Sequence, residues 1–349
     1  MSSPGDDAVT DAETIRSTVI PLDWHRATLT ELLARRDRWP HAMLITGRRG
    51  IGKRALADML ARALVCEAPR VTGLPCGECP GCRYASAGQH PDLRVVEPID
   101  VADDVVKPVE WIVVDKIRAL TGWAQLTSHR GGAKVGIIDP AERMNAAAAN
   151  ALLKTLEEPP PGTFLLLVSH QPGRLAATIR SRCQVVAAPQ PSTAEGAAWL
   201  ARQGIRDADA VLAQAGGAPL AAVALADTGY QAERAAWIRA LAAPRDMSVS
   251  ALGQRIDAGP RESRKERLAA AIDWLVGWCA DLARVRAGGV PIRNPDYAAQ
   301  LAALAPSVAG VPLFRYHRSL LDQRALLAHP LQPRLVAEAL LIDYRALFG

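Results

Sequence analysis

Eight residues constrain the fold more than any other feature: Gly47-Arg48-Arg49-Gly50-Ile51-Gly52-Lys53-Arg54. They match G-x-x-x-x-G-K, and their setting is the one that the motif requires. Before them runs a short apolar strand, Ala42–Thr46, and after them Leu56, Met59, Leu60, Ala63 and Leu64 recur on one helical face. Glycines let backbone N–H groups curl round a phosphate, the helix N-terminus adds positive potential, and the lysine reaches the outer phosphates. Gly47, Gly50, Gly52 and Lys53 are therefore candidate nucleotide-binding residues in a P-loop α/β domain.

The pattern downstream agrees. Helical periodicity at 24–36 and 113–126 alternates with apolar runs at Leu93–Val96, 134–139, 164–169 and Gln184–Ala187. A further helix, marked by Met144, Ala148, Ala151, Leu152 and Leu156, stops at Pro159-Pro160-Pro161. Strands alternating with helices predict a parallel sheet covered on both faces. After Pro189-Gln190-Pro191 no strand pattern remains. Short Ala-rich helices fill 192–226, with a turn at Gly216-Gly217, and everything beyond about 231 reads as helix. Leu268, Ile272, Leu275, Cys279 and Leu282 form one apolar stripe, and 335–347 forms another. Both are read as packing faces, within the helical domain or against copies of its kind.

At 349 residues the chain exceeds one ordinary domain, and its 49% hydrophobic content suits a buried core. Residues 1–18 are polar and acidic, without the basic start and apolar centre of a signal peptide, so the expected location is cytoplasmic. No run approaches the roughly 20 apolar residues of a membrane span. The net charge of +5 is ordinary surface solubility, with a weaker reading as attraction to nucleic acid or an acidic partner.

The phosphate loop lacks parts that hydrolysis needs. The residue after the lysine is usually Ser or Thr, whose hydroxyl ligates Mg²⁺. Here Arg54 stands there, and it repels a cation. The strand at 134–139 ends on Asp139, a candidate metal-site acid, but Pro140 follows where active ring ATPases carry a second acid. The next acid, Glu142, comes two residues late. Lys53 alone leaves ATP binding doubtful. Ser169, at a strand end, reads as an ordinary terminal hydroxyl.

Cys66, Cys76, Cys79 and Cys82 form C-x₉-C-x₂-C-x₂-C on a Gly- and Pro-rich turn. That spacing suits a closed tetrahedral zinc site of structural kind. Disulfides or four idle thiols are the alternatives. Cys279 reads as a small core residue.

Three further stretches give the chain a likeness. Asn150 to Pro160 (NALLKTLEEPP), Ser181-Arg182-Cys183 and the C-terminal HPLQPRLVAEALLIDY together resemble the clamp-loader branch of AAA+ proteins. The cysteine loop is similar to that of bacterial members. The resemblance implies an AAA+ domain over 20–190 with a zinc module at 66–82, following a flexible extension at 1–19. A small helical lid at 191–230 and an all-α collar at 231–349 complete the implied plan. It also implies that Arg182 is an arginine finger reaching a neighbouring subunit's γ-phosphate, a task that suits a forked, permanently charged guanidinium. A surface ion pair is the plainer alternative. Motor subunits keep a sensing arginine after the Gly-Gly turn, whereas this chain has Leu220 there.

The implied function is a subunit without its own hydrolysis in the sliding-clamp loader of DNA polymerase III. Its partners would be motor subunits and the delta subunit in a heteropentamer, with the clamp and primed DNA reached through the assembly. A working ATPase motor using Lys53 and Asp139, or a zinc-containing nucleic-acid module, are the rival readings. For the last, the cysteine loop offers only Arg83 and Tyr84.

Overall fold

The computed structural model describes residues 22–102, 105–325 and 332–349. The expected N-terminal extension and the start of the C-terminal motif, His329 to Leu331, lie outside the described residues. The chain divides into two compact units, one ending at Glu195 and the other beginning at Gly196.

In the first unit the apolar runs pair as one five-stranded sheet. Its strands are β1 (Ala42–Thr46), β2 (Leu93–Val96), β5 (Lys134–Ile138), β6 (Thr163–Ser169) and β7 (Gln184–Ala187). The order is β2-β5-β6-β1-β7, and every pair is parallel. Side chains alternate across the sheet. Leu44, Ile138, Leu165 and Leu167 join one core with Leu120 of α4 (Val114–Ala124) and Leu152 of α5 (Ala146–Glu157). Helix α2 (Lys53–Val65) packs on β1, β5 and β6, with Leu56, Leu60 and Ala63 fully buried. Helix α1 (Arg26–Ala34) precedes β1. Both faces are thus covered, as the unbroken apolar strands require.

Two elements go beyond the sequence reading. Helix α3 (Pro80–Ser86) grows out of the cysteine loop, and β3 (Ile99–Ala102) with β4 (Val105–Pro108) makes a separate antiparallel hairpin. Helix α6 (Ala177–Arg180) is a single turn leading into β7.

The second unit is helical. It follows α7 (Thr193–Arg202), which spans the division, with α8 (Ala208–Gln214), α9 (Pro219–Leu225), α10 (Thr228–Ala242), α11 (Val249–Asp257), α12 (Arg264–Arg286), α13 (Ala298–Leu304), α14 (Gly310–Ala325) and α15 (Pro333–Ala346). The α12 stripe is at the centre: Leu268, Ile272, Leu275, Cys279 and Leu282 are buried. On α15 the stripe is narrower than expected, because Leu340, Leu341 and Tyr344 are buried while Leu335 is 60% exposed. Among the described residues no single helix is long and apolar enough to cross a membrane.

Tyr344 ties three helices: Trp278 Nε1 donates to its hydroxyl (2.7 Å), which donates to Leu241 O (2.8 Å). Tyr344→Phe strands a buried indole N–H and a buried carbonyl, and is expected to destabilise the second unit by about 1–3 kcal/mol. Urea denaturation followed by Trp fluorescence measures it; an unchanged midpoint would remove this bond from the core's support.

Candidate functional site

Strand register gathers the site. Thr46 pairs with Ser169, Ile138 with Leu167, and Val96 with Ile138, so the carboxyl ends of β1, β6, β5 and β2 lie along one edge. In an open parallel sheet this edge is where ligands bind. The loop after β1, Asp139 after β5 and Glu97 after β2 therefore meet without any long-range coincidence.

The loop has the conformation its glycines permit. Gly47, Gly50 and Gly52 have φ of 147°, 80° and 89°, a region open to glycine and strained for other residues. At Gly47 a Cβ would also meet Ile51 Cδ1 at 2.8 Å. Trp24 Nε1 donates to Ile51 O (2.9 Å), pinning the loop from the N-terminal side. Lys53 opens α2, is 3% exposed, and donates from Nζ to Arg48 O at 2.5 Å. Burial lowers its pKa to about 8, against the pull of Asp139 and Glu142.

Arg54 is the decisive residue. It donates to Asp58 Oδ1 (2.9 Å), Glu97 Oε1 (2.7 Å) and Asp139 Oδ2 (3.4 Å). Burial would lower the guanidinium pKa, but the three carboxylates hold it above its ordinary value. Asp139 is raised by its own burial, with Arg54 opposing. The acid expected to ligate a metal already holds a tethered cation. Sequence reasoning saw the wrong residue after the lysine and missed its partners. Asp58 was findable, four residues on along the same helix. Glu97, 43 residues away, was findable only through the sheet.

Beside this network lies a second group. Glu142 sits in a turn at Ala141–Arg143, and its Oε1 accepts from the backbone N–H of His170 (2.9 Å) and Gln171 (3.1 Å). Glu142 Oε2, Ser169 Oγ and His170 Nδ1 are buried without a hydrogen-bond partner among the described residues. Burial drives the His170 pKa down to about 4, and nearby Lys53 adds to it. The strand-end Ser169 is fully buried.

Arg182 lies elsewhere. Gln184, two residues on, pairs with Met43 near the start of β1, whereas the phosphate loop follows Thr46 at its other end. Three residues of strand alone span about 10 Å. The arginine donates to Glu157 Oε1 (2.5 Å) and Thr178 O (2.9 Å), with its side chain 35% exposed.

The four thiols converge. Cys66 Sγ lies 3.6 Å from Cys76 Sγ and 3.9 Å from Cys79 Sγ, and Cys76 Sγ lies 3.8 Å from Cys82 Sγ. All four sulfurs are within 4.8 Å of one another. A disulfide needs about 2.05 Å. A tetrahedron of sulfurs at about 2.3 Å from a metal has edges of about 3.8 Å, so the cluster has the size of a four-thiolate metal site. Backbone N–H groups of Cys79 and Glu78 bring the Cys76 thiol down to about 6. Gly81 is needed because α3 abuts the end of α2: a Cβ there would meet Val65 O at 2.5 Å.

The Arg54 network predicts a specific gain. Wild-type protein should bind ATP weakly at most, with no dependence on Mg²⁺. Arg54→Thr, which restores the hydroxyl and frees Asp139, should acquire Mg²⁺-dependent binding in calorimetric titration. Removing the guanidinium should also cost about 2–4 kcal/mol of stability, because three partly buried carboxylates lose their counter-charge. Identical titrations with and without Mg²⁺ for the variant would refute the tethered-cation reading.

The family model for "DNA polymerase III, delta subunit" matches residues 26–192. DNA polymerase III subunit delta' of Pseudomonas aeruginosa is 40% identical over 267 residues, 75% of this chain and 76% of the relative. The subunit delta' of Escherichia coli is 33% identical over 292 residues, 81% and 82% of the two. DNA polymerase III subunit tau of Escherichia coli is 41% identical over 143 residues, 41% of this chain and 20% of that one. With such identity spread over most of both chains, the chain belongs to the DNA polymerase III subunit delta' family.

Proposed function

We propose that this chain is a non-hydrolysing subunit of the sliding-clamp loader of DNA polymerase III, and that it donates Arg182 in trans to a neighbouring ATPase subunit. One observation carries the reading: a guanidinium, that of Arg54, is bonded to the acid where a hydrolytic site would hold its metal. Arg182 supports it from the other end of the sheet, beyond reach of its own phosphate loop. Its pair with Glu157 joins groups 35% and 50% exposed, and an exposed pair of this kind contributes about 0–1 kcal/mol. Releasing it to engage a phosphate next door therefore costs little. Arginine suits that task through its fork and constant charge.

Subunit delta' relatives point to an assembly of several chains. We assign the partners as motor subunits and the delta subunit in a heteropentamer in the cytoplasm, with the clamp and primed DNA reached through it. Residues 231–349 serve as the collar, separate from a lid at 191–230. Exposed Val311, Phe314, Leu335 and Ile342 are among the apolar side chains available for neighbours. Zinc is the metal we assign to Cys66, Cys76, Cys79 and Cys82; when bound it cross-links four thiolates and supplies no reaction chemistry. The rival reading, an active motor, has Glu142 in its favour, half-buried with its Oε2 lacking a hydrogen-bond partner among the described residues. Arg54 weighs against it.

Arg182→Ala is expected to lower DNA-stimulated ATPase of the reconstituted loader by about 10³-fold at the one site it serves, without altering assembly. Arg182→Lys should rescue little, since the fork is lost. Unchanged turnover with the Ala variant would end the finger assignment. For the metal, elemental analysis should find one zinc per chain, and acidification should release it as the thiolates protonate. Well under one zinc per chain in protein purified without chelator would remove the assignment.

A further inference from the structure

The cysteine module is not held by its thiols alone. An arginine from another part of the chain touches both of its arms. Arg130 Nε donates to Glu67 Oε1 at 2.6 Å, and its guanidinium lies over the Tyr84 ring at 5.4 Å. Glu67 follows Cys66, the cap of α2, and Tyr84 lies on α3, two residues past Cys82. The first and last cysteines of the cluster therefore each have a near neighbour in contact with the same side chain.

That side chain is itself firmly placed. Arg130 belongs to the loop between α4 and β5, and buried Asp92 holds this loop. Asp92 Oδ1 accepts from the backbone N–H of His129 (2.9 Å), and Oδ2 from the N–H of Arg130 (3.0 Å) and the Ser128 hydroxyl (3.0 Å). Bonds to an ionised acceptor are roughly twice as strong as neutral ones. Asp92 immediately precedes β2, and its carbonyl accepts from Val135 of β5. The module is thus tied to the sheet through Asp92, the loop and Arg130.

Glu67 is the contact on the metal side. Its Oε1 lies 3.3 Å from where a Cβ would stand at Gly81, so the carboxylate packs against the start of α3, between Cys79 and Cys82. Its backbone N–H, with that of Cys82, serves Cys79 Sγ. As a plain ion pair, Arg130 and Glu67 are 31% and 36% exposed and contribute about 0–1 kcal/mol to the fold. What sets the pair apart is that it bridges two arms of the ligand set. Charge adds to this. Four thiolates around a divalent zinc leave a net charge of about −2, and a cation beside such a site offsets it. The bond to Glu67 chiefly, and the charge of Cys79 in smaller part, hold the Arg130 guanidinium above its ordinary pKa.

We propose that Arg130 is a positioning residue for the metal of this module. Bonded to Glu67 and stacked on Tyr84, it keeps the Cys66 and Cys82 arms closed over the ion and offsets the charge of the four thiolates. This role rests on the assignment of zinc to those thiols. Removing a group that orients metal ligands from outside typically costs about 10–100-fold in affinity.

The test uses the zinc-loaded full chain and the chromogenic chelator pyridylazoresorcinol, whose absorbance follows metal transfer. Arg130→Met keeps the apolar stem and removes the charge and the donors. It is expected to speed zinc transfer by about tenfold or more. Glu67→Gln, which weakens the arginine's anchor, should act in the same direction. Cobalt in place of zinc supplies a second readout: at equal cobalt content, the sulfur-to-metal charge-transfer band of Arg130→Met should shift or weaken. A residue that only supports the fold would instead lower the urea midpoint of the metal-free protein and leave transfer unchanged. Equal transfer rates and equal cobalt spectra for parent and Arg130→Met overturn the positioning role and leave the zinc assignment standing. A parent chain that holds well under one zinc removes that assignment, and this role with it.

Discussion

The contacts of Arg54 with Asp58, Glu97 and Asp139 hold together the end of the sheet where the site lies. Helix geometry brings Asp58, and strand register brings Glu97 beside Asp139. Both placements are unavoidable once β2, β5 and α2 have formed. Carboxylates gathered at one partly buried edge repel one another, and a cation between them, here the Arg54 guanidinium, offsets that repulsion. In a hydrolytic site a divalent ion can be that cation, coming and going with nucleotide. Here a side chain fills the role permanently, and a free ion would have to displace a guanidinium anchored to the same helix. Arg54 is therefore a structural rivet between α2 and the β2–β5 edge, and its loss is felt in folding.

That rivet explains why the two cationic features of the first unit behave differently. Arg54 is bound by three acids in a partly buried network and is not available to anything else. Arg182 meets one half-exposed glutamate near the opposite end of the strands. Burial and the number of partners separate a structural arginine from a displaceable one, although both are written with the same letter. Lys53 is intermediate: buried, folded onto Arg48 O, and with its charge weakened by desolvation.

Much of this was legible in the sequence. The central strands were, because parallel strands buried on both faces read as continuous apolar runs, as in AMLIT and KVGII. The P-loop and the four thiols were legible because their spacing is dictated by phosphate and by a tetrahedron. The hairpin at Ile99–Pro108 was not, since neither of its four-residue strands packs into the main sheet to leave a period. Glu142 looked only displaced, two residues past Pro140. The turn at Ala141–Arg143 carries its carboxylate back to the end of β6, a move that no linear spacing encodes. On α15, periodicity correctly implied a helix but overstated its buried width, because Leu335 sits on the apolar stripe and yet outside the core.

The cysteine cluster and the phosphate loop share one further constraint, the helix between them. Helix α2 begins at Lys53 and ends at Val65, with Cys66 as its cap. Thirteen residues at about 1.5 Å each separate the two sites by about 20 Å, too far for the thiols to touch a phosphate. Their effect must be mechanical. One end of α2 is fastened by the carboxylates around Arg54. The other is fastened by Cys66 within the thiol cluster and by α3, which lies against Val65 O through Gly81. A helix held at both ends cannot slide or tilt to reshape the loop it carries. In this chain both ends of α2 are tied by side-chain contacts, so a displacement of one end is resisted at the other.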